Sequence, residues 1–297
     1  MTAHDTTPSS VAPSPADTTR WVVPVLGVVA VMAAVVALVA GPAATLSQSG
    51  TGLATALLQC VVLAPLALFA ARHREGAGRM LLLAAGFLMI SFTVHLLPRI
   101  GPLADLDWNW QGKTFELVWL TVLLAVLARW AREDVGVRLP VPGSLRPALV
   151  VIAVVFTVQA LLVVLTVVSG DDAFDGFHTP ERLLFDLTHA NLVEELLWRG
   201  VLIALLDRAL GTPWRFFGAK VGWGLVLTTL SFGLGHGLLV TAEGFVFAPD
   251  QIILTGLLGL MMGWVRARTG SVWLAYLAHC APEVAIHAGV GIGALLT

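Results

Sequence analysis

Apolar residues run along this chain in long blocks. They do not alternate as in a half-exposed strand, nor form the single stripe of a soluble helix. Nine blocks are long enough to read as helical crossings of a bilayer core about 30 Å thick. They cover residues 21–41, 52–71, 80–97, 114–131, 147–169, 183–206, 221–241, 251–265 and 271–296. The eighth is the shortest and is interrupted by Gly256, Gly259 and Gly263. Inside lipid an unpaired backbone amide has no water to turn to, so each block predicts a helix. The expected fold is all-α, a polytopic transmembrane helical bundle of about nine spans. Composition agrees, since 57% of the 297 residues are hydrophobic and only 12% are charged, about half the charged share of a soluble domain.

Charge patterning orients the bundle. With the N-terminus cytoplasmic, that side receives Arg20, Arg72, Arg74, Arg79, Arg129, Arg132, Arg138, Arg146, Arg208, Arg215, Lys220, Arg266 and Arg268. The opposite side receives Arg99, Lys113 and Arg182, and Arg199 falls inside a span. This positive-inside bias predicts a cytoplasmic N-terminus. Residues 1–19, rich in Thr, Ser, Pro and Ala, read as a disordered cytoplasmic tail, and the apolar run after them is too long for a cleaved signal. Residues 20–144 read as N-terminal transmembrane helices and 145–297 as the domain that carries the chemistry. A net charge of −2 excludes the basic footprint of a nucleic-acid binder, leaving membrane lipids and membrane-borne peptides as expected partners. Cys60 and Cys280 form no redox or metal pattern. The predominance of arginine over lysine fits a bacterial genome and hence a multi-pass protein of the plasma (cell) membrane.

Polar residues enter the bilayer unevenly. The first five blocks are nearly clean: His95 and Glu116 lie near block ends, where side chains reach the headgroups, and Gln159 is isolated. The sixth block holds Asp186, His189, Asn191, Glu194, Glu195 and Arg199; the seventh holds His236; the ninth holds His279, Glu283 and His287. Ionisable groups at that depth are expensive and face an interior or a wet cavity. Gly233, Gly235 and Gly237, with Gly289, Gly291 and Gly293, would let these helices approach one another.

Helix geometry then divides the roles. Glu195 and Arg199 are four apart and share a face, so Glu195 is the expected partner of Arg199. Glu194 is rotated by about 100° and is expected to face the cavity unpaired, placed to act as a general base. His279, Glu283 and His287 recur at four-residue spacing on one face, interrupted by Pro282, which predicts a kink. Cys280 and His279 are neighbours and point apart, which disfavours a Cys–His nucleophile.

Three motifs resemble those of a known family. They are Glu194-Glu195-Leu196-Leu197-Trp198-Arg199-Gly200, Phe232 followed four later by His236, and His279 after a Thr-Gly-Ser turn and an apolar run. Residues 145–292 are thus similar to the CAAX-protease and bacteriocin-processing family of intramembrane glutamic endopeptidases, which includes the type II CAAX prenyl endopeptidases. The resemblance implies that Glu194 and His236 hold and activate a water, that His279 stabilises the oxyanion, and that Glu195 and Arg199 support the site. It also implies an asparagine four residues after the last histidine, where this chain has Glu283. An ionised carboxylate there would oppose the developing charge and could serve only when protonated.

The leading expectation is an intramembrane endopeptidase acting on a membrane-associated or terminal peptide segment, without a cofactor. Zinc on Glu194, His236 and His279 is the alternative, against which stands the lack of an HExxH spacing. The other function classes are a catalytically inactive membrane regulator or scaffold, favoured by Glu283, and a proton-coupled transporter, disfavoured by the clean first five blocks.

Overall fold

The computed structural model describes residues 12–171, 173–174 and 178–297. Its helices are α1 (Val22–Ala40), α2 (Pro42–Ala71), α3 (Ala77–His95), α4 (Trp110–Val126), α5 (Ala128–Val135) and α6 (Leu145–Val168). There follow α7 (180–210), α8 (Trp223–Gly237), α9 (Pro249–Thr269) and α10 (Val272–Leu296). Each of the nine apolar blocks forms a helix. Two antiparallel hairpins are the sheet content among the described residues: β1 (Trp214–Phe216) with β2 (Ala219–Val221), and β3 (Leu238–Thr241) with β4 (Gly244–Phe247).

Not every helix has the length and composition of a crossing. Among the described residues α1, α2, α3, α6 and α10 do so alone, and α4 with α5, bent by 100° at their junction, makes up to six. The differences from nine have physical causes. α8 has 15 residues, about 22 Å at 1.5 Å per residue, and gives way to β3 inside the block that sequence reads as one span. α7 is laden with charge, and α9 carries Asp250, Arg266 and Arg268 near its ends. α2 also starts earlier than hydropathy indicates. Pro42 occupies its first turn, while Thr45 and Ser49 return their hydroxyls to the carbonyls of Gly41 and Thr45, so a polar stretch stays helical.

The packing that positions the site uses aromatic rings on one side and glycines on the other. Phe87 of α3 stacks on Trp119 of α4 at 5.8 Å, and Trp21 meets Phe87 edge-on at 5.2 Å. α10 lies close along α6: a Cβ at Gly289 would come within 2.6 Å of Val163, and one at Gly293 within 2.7 Å of Val167. Gly291, by contrast, faces open space. α10 runs through Pro282 as a continuous helix.

Loop contacts sort the ends of the helices into two faces. On one, Arg208 donates to the carbonyl of Ala12 and pairs with Asp17, both at 2.9 Å, while Arg266 donates to the carbonyl of Val135 at 3.0 Å and Arg138 to that of Gly270 at 3.1 Å. On the other, Trp108 and Trp110 donate to Glu181, and Arg182 lies over the Trp108 ring. The cation-rich loops gather on the first face. Residues 1–11 of the expected tail lie outside the described residues. Residues 12–19 are not the loose tail that their composition predicts, because Ala12, Ser14 and Ala16 are buried and Pro15 accepts from the Trp21 indole at 3.0 Å. Asp17 carries the Arg208 pair and also accepts from the backbone and hydroxyl of Ser14.

Candidate active site

The residues that the motifs single out converge in the middle of the bundle. α7 brings Glu194, Glu195 and Arg199; α8 brings Phe232 and His236 at its C-terminal end; α10 brings His279 and Glu283. α7 is wound as a π-helix over Asp186–Ala190 and Glu195–Leu202, on either side of Glu194, a deviation that recurs at functional sites.

Glu195 is completely buried and serves two partners. Its Oε1 lies 2.8 Å from Arg199 Nη1 and 2.9 Å from His279 Nδ1. The pairing with Arg199 is the one that the four-residue spacing predicts. The contact with His279 adds a second task, because a carboxylate accepting from Nδ1–H fixes the ring and turns Nε2 inward. Arg199 also lies over the Phe232 ring, 3.9 Å from its centroid, which gives this desolvated cation a second stabilising contact. Phe232 in turn packs against both imidazoles, with ring centroids 4.5 Å from His236 and 5.9 Å from His279.

His236 is held the same way by backbone. Its Nδ1 is 2.7 Å from the carbonyl of Phe232, so Nδ1–H donates there and Nε2 is left facing the site. The two Nε2 atoms meet one oxygen: Glu194 Oε2 is 4.0 Å from His236 Nε2 and 3.9 Å from His279 Nε2. Those gaps are too long for direct hydrogen bonds and short enough for a single water to touch both sides.

Glu194 is not unpaired, as its place on the helix predicts. Its Oε1 is 2.9 Å from Lys113 Nζ of α4. Lys113 also lies 3.5 Å from Glu116 Oε1, which is 2.9 Å from His95 Nδ1, and Ser91 donates its hydroxyl to Glu116 Oε2. A polar chain thus enters from α3 and α4, the region expected to be clean. Ser91, His95, Lys113 and Glu116 put polar groups inside the first half as well, and a clean first half no longer speaks against a transporter. Glu116 is buried rather than reaching the headgroups. Sequence counted Lys113 as a loop residue; its signal is the spacing of three from Glu116, which puts both on one face of the helix that opens at Trp110.

Glu283, one turn beyond His279, has Oε2 3.9 Å from Arg182 Nη2, while Arg182 Nε lies 2.5 Å from Asp186 Oδ2. This carboxylate therefore shares a cation with Asp186. Asn191 points its amide at Cys280 Sγ at 3.7 Å.

The donor set fits zinc poorly. Ligands about 2.0–2.1 Å from a tetrahedral ion stand about 3.3 Å apart, less than the separations of Glu194 from either ring, and the Lys113 ammonium already occupies the other carboxylate oxygen. Among the described residues no group of three His, Cys, Asp or Glu side chains is arranged to hold a metal ion.

Residues 178–284 match the family model described as Type II CAAX prenyl endopeptidase Rce1-like. That stretch is Rce1-like. The match is in keeping with the CAAX-protease and bacteriocin-processing family whose motifs this stretch resembles, and it supports a CAAX-protease-type endopeptidase activity in a multi-pass membrane protein. Glu194, Glu195, Arg199, His236, His279 and Glu283 all fall inside the Rce1-like stretch, while Lys113, Glu116, His95 and Ser91 fall outside it. No curated protein and no solved structure matches this chain.

Proposed function

We propose that the chain is an intramembrane endopeptidase that uses a water activated by Glu194 and His236. The observation that carries this reading is the convergence of two imidazole Nε2 atoms on one oxygen of Glu194. A water held by Glu194 Oε2 and His236 Nε2 attacks the carbonyl carbon of the scissile bond as Glu194 takes its proton. His279 donates from Nε2 to the oxyanion as an imidazolium whose counter-ion is Glu195. Collapse of the tetrahedral intermediate breaks the C–N bond, and the proton on Glu194 passes to the leaving amine. Arg199 and Glu195 hold the walls, and no step needs a metal.

The substrate class is a flexible or terminal peptide segment at the membrane, because a helical segment hides its scissile carbonyls. The cation-rich face is the cytoplasmic one, with the N-terminus on that side, in a bacterial plasma membrane. The test is purified protein in lipid nanodiscs given a peptide library, with cleavage read by mass spectrometry. Wild type should cleave and Glu194→Gln should not; cleavage that survives the substitution rules out the base.

Glu283 favours a second reading, a family member without catalysis that acts as a membrane scaffold. Its carboxylate stands where the resemblance implies a neutral donor. On that reading Glu194→Gln leaves the cellular phenotype intact.

A further inference from the structure

We infer that Lys113 is a positioning residue for Glu194, supplied by a helix outside the Rce1-like stretch; this rests on the endopeptidase reading above. The two oxygens of Glu194 have different surroundings. Oε1 receives the Lys113 ammonium at 2.9 Å, and Oε2 faces His236 and His279. A carboxylate free to rotate would present either oxygen to the water; one pinned at Oε1 presents only Oε2. Lys113 is itself fixed. It lies 3.5 Å from Glu116, and Glu116 is anchored by His95 at 2.9 Å and by the Ser91 hydroxyl. The side chains of Lys113 and Glu194 are 11% and 13% exposed, so water competes weakly for the contact and the ammonium is the counter-charge that lets an ionised base persist among apolar helices.

The alignment matters because misplacing a reacting group by about 1 Å can cost about 100-fold in rate. Lys113→Met keeps the length and apolar stem but removes the charge. It should lower kcat about 100-fold with KM within about twofold, since Lys113 touches the base and not the substrate. Lys113→Arg should restore part of kcat, and Glu116→Gln should lower it by less than Lys113→Met does. Unchanged kcat in folded Lys113→Met, beside an inactive Glu194→Gln, overturns the positioning role and leaves the endopeptidase reading intact.

A second readout needs no turnover. In detergent, Lys113→Met and Glu194→Gln should each lower Tm, and the double variant should lose clearly less than their sum, because the second substitution removes the charge that the first one strands. Additive losses mean that the two groups are not coupled and overturn the inference, even if wild type cleaves none of the peptides supplied.

Discussion

Two of the charge clusters inside the bundle, those on α7 and on α4, are balanced by different means. Around α7, Glu195 cancels Arg199 within one helix and reaches across only to orient His279. Around α4, Lys113 and Glu116 are neighbours on one helix, yet Lys113 makes its shortest contact with Glu194, 81 residues further along the chain. The first cluster is nearly complete within the Rce1-like stretch. The second gives that stretch a counter-charge that it does not contain. The groups proposed to do chemistry thus sit in one segment, while the electrostatic balance of their base depends on helices from the other half.

The contrast can be broken most forcefully at the base. Glu194→Gln and His236→Ala should each lower kcat about 10³- to 10⁴-fold, and the double variant should fall little further, because the two groups act on one water. Full additivity in a steady-state assay would separate them. Next comes Glu195→Ala, which strands the buried Arg199 guanidinium and should cost about 3–5 kcal/mol of stability. Glu116→Ala should cost less, since Lys113 keeps Glu194 as a partner. Thermal or denaturant unfolding of the two variants side by side ranks them, and the reverse order would mean that α4 holds the bundle's more critical pair.

Smaller effects sharpen the picture at the edges. Gly289→Val pushes a branched side chain against Val163 where α10 lies on α6, and overpacking of that kind costs about 1–3 kcal/mol, read as a lowered Tm. Glu283→Asn replaces a carboxylate one turn from His279 by a neutral donor. It should raise kcat by about tenfold, as relief of repulsion at a developing oxyanion would. An unchanged rate would place Glu283 away from the reacting carbonyl.

Much of this was legible in the chain, and what escaped has a common cause. Apolar block length located nine helices, and four-residue spacing paired Glu195 with Arg199, because both are properties of contiguous sequence. The three motifs selected residues that do meet in space. Lys113 escaped because hydropathy places it at a block end, where a lysine ordinarily reaches water, and only the tertiary fold brings α4 against α7. The docking of residues 12–19 escaped for a related reason. It is held by a carbonyl of Ala12 and a carboxylate of Asp17 on Arg208, contacts that leave no trace in apolar periodicity. Strand β3 was hidden at the end of a helix-length apolar run, while β1, β2 and β4 fall in the short segments at and between the runs, too brief for a strand pattern to show.

The proposed mechanism stands on one water between an acid on α7 and imidazoles on α8 and α10. The direct measurement is an experimental structure in lipid nanodiscs at a resolution that defines ordered solvent. A water within hydrogen-bond distance of both Glu194 Oε2 and His236 Nε2 is expected, with His279 Nε2 facing the same cavity. Imidazoles turned outward to the acyl chains, or a dry gap closed by direct Glu194–histidine contact, would contradict it.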